Sequence, residues 1–383
     1  MDIREQWNKV NEVLEATKIA SYLDVCNPLR PMYKEAAQIG IDIGSHSVKI
    51  AALKEMPNSV SVIKVGYKEL APSLDSGNSW QDTVLIEKEL KTLIKECKIK
   101  DKRIALTISD TAVISQQINV PCLSELELLK AIRWRAEKFI SFPLEQAVVD
   151  FQDLGGPVGH GAENKDVVLV VAHNDAINKY IALLRELKMV PTKVDITAFA
   201  LIKAFLKTHT VEKDKMVALI DMGASRTVMA VVKDGKLLFL RSIDIAGNTF
   251  TSAIKDGLKI GFLEAEQIKK EQPLRPSGAG SNYGESALIT HIETALTQLA
   301  AEINRSFAYC EAEILVERIE KAYLFGGGSL MNGIDSFLAE KLGVIVERGD
   351  IFKDHSVKMK KRDREAMHTM APTVAAAFGA ALL

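Results

Sequence analysis

One short pattern occurs twice in this chain. An apolar, strand-like run ends in Asp-x-Gly and passes into small or hydroxyl residues, first as Ile41-Asp42-Ile43-Gly44-Ser45 and again as Ile220-Asp221-Met222-Gly223-Ala224-Ser225. The surroundings repeat as well. Strand-like runs at 38–44, 48–54 and 60–69 follow one another through short turns in the first half, and runs at 216–221, 226–233 and 236–243 do the same in the second. A β-β-β-α start used twice marks an internal duplication, and it points to an α/β chain of two related lobes.

The length allows this. At roughly 100–200 residues per domain, 383 residues make about two or three domains, each able to bury a core. Lys and Arg number 49 against 50 Asp and Glu, a net charge of −1. No global attraction to nucleic acid or an anionic bilayer follows, so such contacts would need a local patch. Cys26, Cys97, Cys122 and Cys310 form no C-x-x-C pair and have no metal-ligand spacing, which reads as reduced, cytosolic usage. The first nine residues are too charged for a secretory signal, and the apolar stretch 375–383 is far short of the ~20 residues a membrane span needs.

Residues 1–37 stand apart as a short amphipathic helix, with Trp7, Val10 and Leu14 near helical spacing, followed by a Pro-containing linker. After the first three strands come a helix at 84–97 and a strand at 103–109. Residues 113–190 look like an inserted subdomain, with strands at 113–120, 146–153 and 167–172 and helices at 124–139 and 174–188. The chain then returns through a helix at 198–206 to the second strand set. A Pro/Gly/Ser-rich loop at 272–286 precedes a long helix at 287–308. A third glycine turn follows strand 321–325, namely Gly326-Gly327-Gly328-Ser329.

These turns carry the chemistry. In the first, the missing Cβ of Gly44 lets main-chain N–H groups and the Ser45 and Ser47 hydroxyls face phosphate oxygens, with His46 beside them and Lys49 near enough to add a positive charge. The second turn, with Gly223, Ala224, Ser225 and Thr227, supplies the opposing half. Together they bring the carboxylates of Asp42 and Asp221 toward one Mg2+ ion, through its waters. The third turn lets a base or ribose approach the backbone of Gly326, Gly327 and Gly328. Each turn alone is an ordinary end to a strand; three in this order define a nucleotide site.

At this point the chain resembles the actin-like ATPase superfamily, which includes sugar kinases, heat-shock chaperones and FtsA. Residues 41–49 are similar to its phosphate-1 motif, 221–227 to phosphate-2 and 324–329 to its adenosine motif. Within the superfamily the chain most resembles the PilM family of type IV pilus assembly over about residues 38–383. The telling pieces are Asn119-Val120-Pro121, Phe142-Pro143-Leu144-Glu145, Val194-Asp195 before Ala198-Phe199, and Ala246-Gly247-Asn248 before a helix at 264–270.

The resemblance implies an actin-like (ribonuclease H-like) two-lobed fold with an inserted subdomain of the SHS2 kind shared with FtsA. Lobe I would span 38–206 and lobe II 207–383. It implies ATP and Mg2+ as ligands, with Asp42, Asp221 and Asp195 as the acidic residues of any slow phosphoryl transfer, Asp195 orienting the attacking water. It places Gly247, Glu266, Lys269 and Lys270 around ribose and adenine. It also implies a cytoplasmic scaffold held at the inner membrane by a PilN-like bitopic protein, whose N-terminal peptide docks between the first subdomain and the insert. Other inner-membrane and motor components of the pilus machine and a second copy of the chain are further implied partners; nucleic acid is not among them. The pattern departs from the family at Arg226, where a hydroxyl residue is usual. The alternatives are an FtsA-like filament protein of cell division, which would be expected to end in an amphipathic membrane helix, and a sugar or acetate kinase. Outside the turns, Trp134 and Phe139 read as core, and the basic run 353–364 as a solvated loop.

Overall fold

Strand β1 (Gln38–Ile43) is buried along nearly its whole length, as expected of a central strand covered on both faces. Its neighbours are β2 (Ser47–Met56), antiparallel to it, and β4 (Arg103–Ile108), parallel to it. With β3 (Ser59–Glu69), β8 (Val190–Ile196) and the two-residue β14 (Val357–Lys358) they form a sheet of order β14-β3-β2-β1-β4-β8. The computed structural model describes residues 38–56, 59–70, 83–108, 113–121, 125–155, 164–274, 287–314, 318–354, 357–359 and 364–382. The expected N-terminal helix, Cys26, Cys122 and most of the 272–286 loop lie outside the described residues.

A second sheet repeats the first. It contains β9 (Met216–Met222), β10 (Thr227–Lys233), β11 (Lys236–Ile243), β12 (Lys321–Phe325) and β13 (Ile345–Arg348), in the order β11-β10-β9-β12-β13. In both sheets an antiparallel meander of three strands is extended by two parallel strands on the far side of the first strand. The duplication seen in the sequence is therefore a duplication of topology.

The insert is a three-stranded sheet, β5 (Val113–Pro121), β7 (Asn164–His173) and β6 (Ala147–Gly155), with β7 in the middle and helix α2 (Glu125–Ala136) against it. The uninterrupted apolar run of β7 has a reason. Val167, Leu169 and Val171 pack with Leu128 and Ile132 of α2, while Val168, Val170 and Ala172 face the core of the first sheet. Helix α3 (Asn174–Glu186) buries Ile177, Tyr180, Leu183 and Leu184 in that same first core. Trp134 does not join a core: it is 63% exposed at the end of α2, with Lys138 Nζ 5.2 Å from its ring centre, and Phe139 is 38% exposed. Helix α2 spends its buried positions on Leu128, Ile132 and Ala136, one turn apart, which turns Trp134 outward.

The first sheet is covered by α1 (Thr83–Glu96), α4 (Thr197–Thr208) and α9 (Arg364–Ala380). The second is covered by α5 (Gly247–Leu258), α6 (Phe262–Glu271), α7 (Ala287–Tyr309) and α8 (Ile334–Leu342). Helix α9 thus crosses back after the second sheet is complete. Two glycines permit its close approach: a Cβ on Gly40 of β1 would collide with the main-chain oxygen of Ala377, and one on Gly379 with that of Ala200 in α4.

Candidate nucleotide site

The two Asp-x-Gly turns face each other across a cleft of about 470 Å³. Each is closed by the same hydrogen bond, Gly44 N–H to Ser47 O and Gly223 N–H to Arg226 O, both 3.0 Å. Register then builds the first half of the site. Asp42 sits opposite Lys49 on β2 and beside Thr107 on β4. Accordingly Lys49 Nζ donates to Asp42 Oδ2 (2.8 Å) and Thr107 Oγ1 to Asp42 Oδ1 (2.7 Å).

Asp221 is set differently. Burial and the facing charge of Asp42 push its carboxyl up to about 6, an effect that Lys49 only partly offsets. The third turn closes over it: Gly326 has φ +77°, and a Cβ there would strike Asp221 Oδ1 and Met222 O. Gly326 N–H is held by Pro372 O (2.9 Å), so α9 anchors this turn.

The second turn is braced by α5, whose first N–H groups bond back to it, Gly247 to Gly223 O (3.0 Å) and Asn248 to Ala224 O (2.7 Å). Below it Lys269 is buried, which lowers its pKa, and Nζ donates to Gly247 O (3.1 Å), Thr251 Oγ1 (2.8 Å) and Glu266 Oε2 (2.6 Å). Three N–H groups meet three acceptors, so Lys269 positions α5 and Glu266. Lys270 reaches across the cleft to Glu69 at the end of β3, at 2.9 and 3.0 Å. His46 Nε2 is buried without a hydrogen-bond partner, 3.7 Å from Glu69 Oε2, and burial lowers its pKa.

The structure brings together Asp42, Gly44, Ser45, His46, Ser47, Lys49, Asp221, Gly223, Ala224, Ser225, Gly247, Glu266, Lys269, Lys270 and Gly326–Gly328 around this cleft. Two expected residues are elsewhere. Thr227 is fully buried and donates to Ile245 O (2.6 Å). Asp195 shares a face of the first sheet with Asp42, beside Thr107, but lies under α4, where Lys203 Nζ donates to Oδ2 (2.8 Å). Buried and paired there, its carboxylate does not line the cleft. Sequence reasoning missed Tyr67, Glu69, Thr197, Thr369 and Thr373. No local motif marks these residues; β3, α4 and α9 deliver them by packing. Among the described residues no three His, Cys, Asp or Glu side chains gather as a metal site.

A duplicated sheet, the first strand of each copy ending in an Asp-x-Gly turn, with a third glycine turn roofing the cleft between them, defines an actin-like ATPase fold. More narrowly, the chain belongs to the family of the type IV pilus assembly protein PilM, whose family model matches residues 40–383. It is similar to a solved PilM-PilN type IV pilus biogenesis complex, at 26% identity and a TM-score of 0.76 over 90% of this chain and 98% of that one. The ethanolamine utilization protein EutJ of Carboxydothermus hydrogenoformans shares the fold at 14% identity, with a TM-score of 0.51 and 98% of both chains covered. Among curated proteins, the cell division protein FtsA of Staphylococcus epidermidis is 26% identical over 261 residues, 62% of this chain and 55% of that protein. The Bacillus subtilis FtsA is 25% identical over 247 residues, 49% and 54% of the two chains. The chain spans about half the length of these curated relatives. Among the described residues no helix is long and apolar enough to cross a membrane.

Proposed function

We propose that this chain is a cytoplasmic, nucleotide-binding scaffold of a type IV pilus or related assembly machine, closing on Mg-ATP and docking the N-terminal peptide of a PilN-like inner-membrane protein. The observation that carries the nucleotide reading is the facing pair of turns, identical in their closing hydrogen bond, with Asp42 and Asp221 between them. The residues present fit such a ligand. The unpartnered buried Nε2 of His46 and the hydroxyls of Ser45 and Ser47 form a cradle for an anion. A Mg2+ ion takes one or two carboxylates and completes its shell with phosphate oxygens and water, which suits two facing aspartates. The similarity to a solved PilM-PilN complex supports the partner.

Lys49, bonded to Asp42, would balance the phosphates, and Lys269 would hold the ribose-side helix in place. Hydrolysis would be slow, because the acidic residue expected to orient water is paired with Lys203. The units that would move against one another are the insert, the lobe begun at 38–206 together with β14 and α9, which pack on it, and the remainder of the expected second lobe, 207–383.

Calorimetric titration of Mg-ATP and Mg-ADP into the wild type, Asp42→Ala and Asp221→Ala, with phosphate release followed in the same samples, tests this. Binding lost in both variants with little release supports the scaffold; a wild type that binds neither nucleotide removes it. FtsA-like polymerisation is favoured by the FtsA matches, and a chain that pellets with ATP but does not bind the PilN-like peptide would establish it instead.

A further inference from the structure

His46 stands in the first turn between Ser45 and Ser47, and it ends a row of charged side chains that crosses the cleft. From its own side β3 supplies Tyr67 and Glu69; from the far side α6 supplies Glu266, Lys269 and Lys270. The members touch one another in turn. Lys269 Nζ donates to Glu266 Oε2 (2.6 Å), and Lys270 Nζ lies 3.9 Å from Glu266 Oε1 while donating to Glu69 Oε1 (2.9 Å). The Tyr67 hydroxyl also donates to Glu69 Oε1 (3.3 Å). His46 Nε2 comes last, buried, 3.7 Å from Glu69 Oε2 and without a hydrogen-bond partner.

The imidazole is finely balanced in this position. Two carboxylates and two ammonium groups act on it with opposing signs, and burial decides for the neutral ring, so its pKa lies below the usual 6.5. A proton on Nε2 would nonetheless have an acceptor: Glu69 Oε2 needs to approach by only about 1 Å to reach hydrogen-bond distance.

We propose that His46 couples nucleotide binding to proton uptake: the ring is neutral in the ligand-free protein and becomes an imidazolium, paired with Glu69, when phosphates settle beside Ser45 and Ser47. This rests on the nucleotide reading above. A Mg-nucleotide carries net negative charge, and an anion within about 4–6 Å favours the charged form of a neighbouring base. Of the side chains in the row, histidine is the one whose ordinary pKa lies beside neutrality. The coupling is reciprocal, since a proton that strengthens nucleotide binding is itself held more tightly by the bound form. The bound form keeps its proton to higher pH than the free form, so affinity falls as pH rises from the free pKa, below 6.5, to the bound one. Asp221 acts with the opposite sign. It titrates at about 6, and a cation beside it favours loss of its proton. Variants of His46 separate the two contributions, because Asp221 titrates in all of them.

Exchange of the histidine C2 hydrogen, read by peptide mass spectrometry between about pH 5 and 9, follows His46 in the wild type with and without Mg-ADP. Its titration is expected to move to higher pH when Mg-ADP binds, while that of His291, which does not line the cleft, stays in place. Calorimetry at about pH 6 and pH 8, in buffers of different ionisation heat, gives the second readout. Wild-type affinity for Mg-ADP should fall about tenfold more over this range than that of His46→Gln, with a matching proton uptake that His46→Gln lacks. His46→Lys, which carries a fixed charge, should bind more tightly than His46→Gln at both pH values. A His46 titration that Mg-ADP leaves unmoved overturns the proposal and needs no variant to fold. An equal pH dependence in wild type and His46→Gln overturns it as well. A wild type that does not bind Mg-ADP at all is a different result, which removes the nucleotide reading itself.

Discussion

Asp42 and Asp221 arise from the same sequence pattern, yet one is paired with a lysine and accepts a hydrogen bond from a threonine, and the other faces that first carboxylate from a half-buried position. The sign of the resulting pH dependence follows. Asp221 titrates near 6 in the folded protein instead of 3.8, so between these values the folded chain holds a proton that the unfolded chain has released. Stability therefore falls as pH rises through this window, and the whole penalty is present above it. Asp221→Asn is expected to raise the nucleotide-free stability at pH 7.5 by about 2 kcal/mol and to lose that advantage by pH 4, as read by urea denaturation at the two pH values. Equal stabilities at pH 7.5 would contradict the burial described here. Both aspartates were legible in the sequence because Asp-x-Gly is a local pattern. Their inequality was not, since Thr107 reaches Asp42 through strand pairing across 65 positions.

The elements that escaped the sequence did so for physical reasons. Helix α9 is buried at every residue from Ala371 to Ala380, so it has no polar stripe and hence no helical period to detect. Strand β14 is two residues long and exists because β3 offers it an edge. By contrast, β1, β9 and the third glycine turn were readable, being apolar runs with explicit stops. The packing of α9 makes a firm expectation: Gly379→Ala should destabilise by about 3 kcal/mol or prevent folding, measured as a lower urea midpoint, because the added methyl meets backbone and not a yielding side chain. The junction of α4 with β12 is a second test. His209 stacks on Phe205 at 4.5 Å and meets Tyr323 edge-on at 5.1 Å, and burial lowers its pKa to about 4. Between pH 6.5 and 4 the unfolded chain binds a proton that the folded one refuses, so stability is lost as pH falls through that range. His209→Phe should flatten the melting temperature against pH there, and an unchanged slope would show that another group sets it.

Across the whole molecule, the cleft is spanned by Glu69 from the first sheet and Lys270 from α6. Both side chains are about half exposed, so the pair contributes little to stability, but it stands in the path of anything leaving the cleft. Glu69→Lys and Lys270→Glu should each speed release of fluorescent Mg-ADP by roughly threefold, and the double exchange should restore it. Failure of the exchange to restore the rate would mean that each residue acts alone on the ligand. The return of α9 to the first sheet has a consequence for how the protein is made. During translation, residues 38–208 emerge long before 364–382, so the apolar face that Val374, Ala377 and Phe378 cover stays bare while the second lobe is still being synthesised. The lobe begun first is finished last, and the interval leaves a hydrophobic surface open to chaperones that the completed chain conceals.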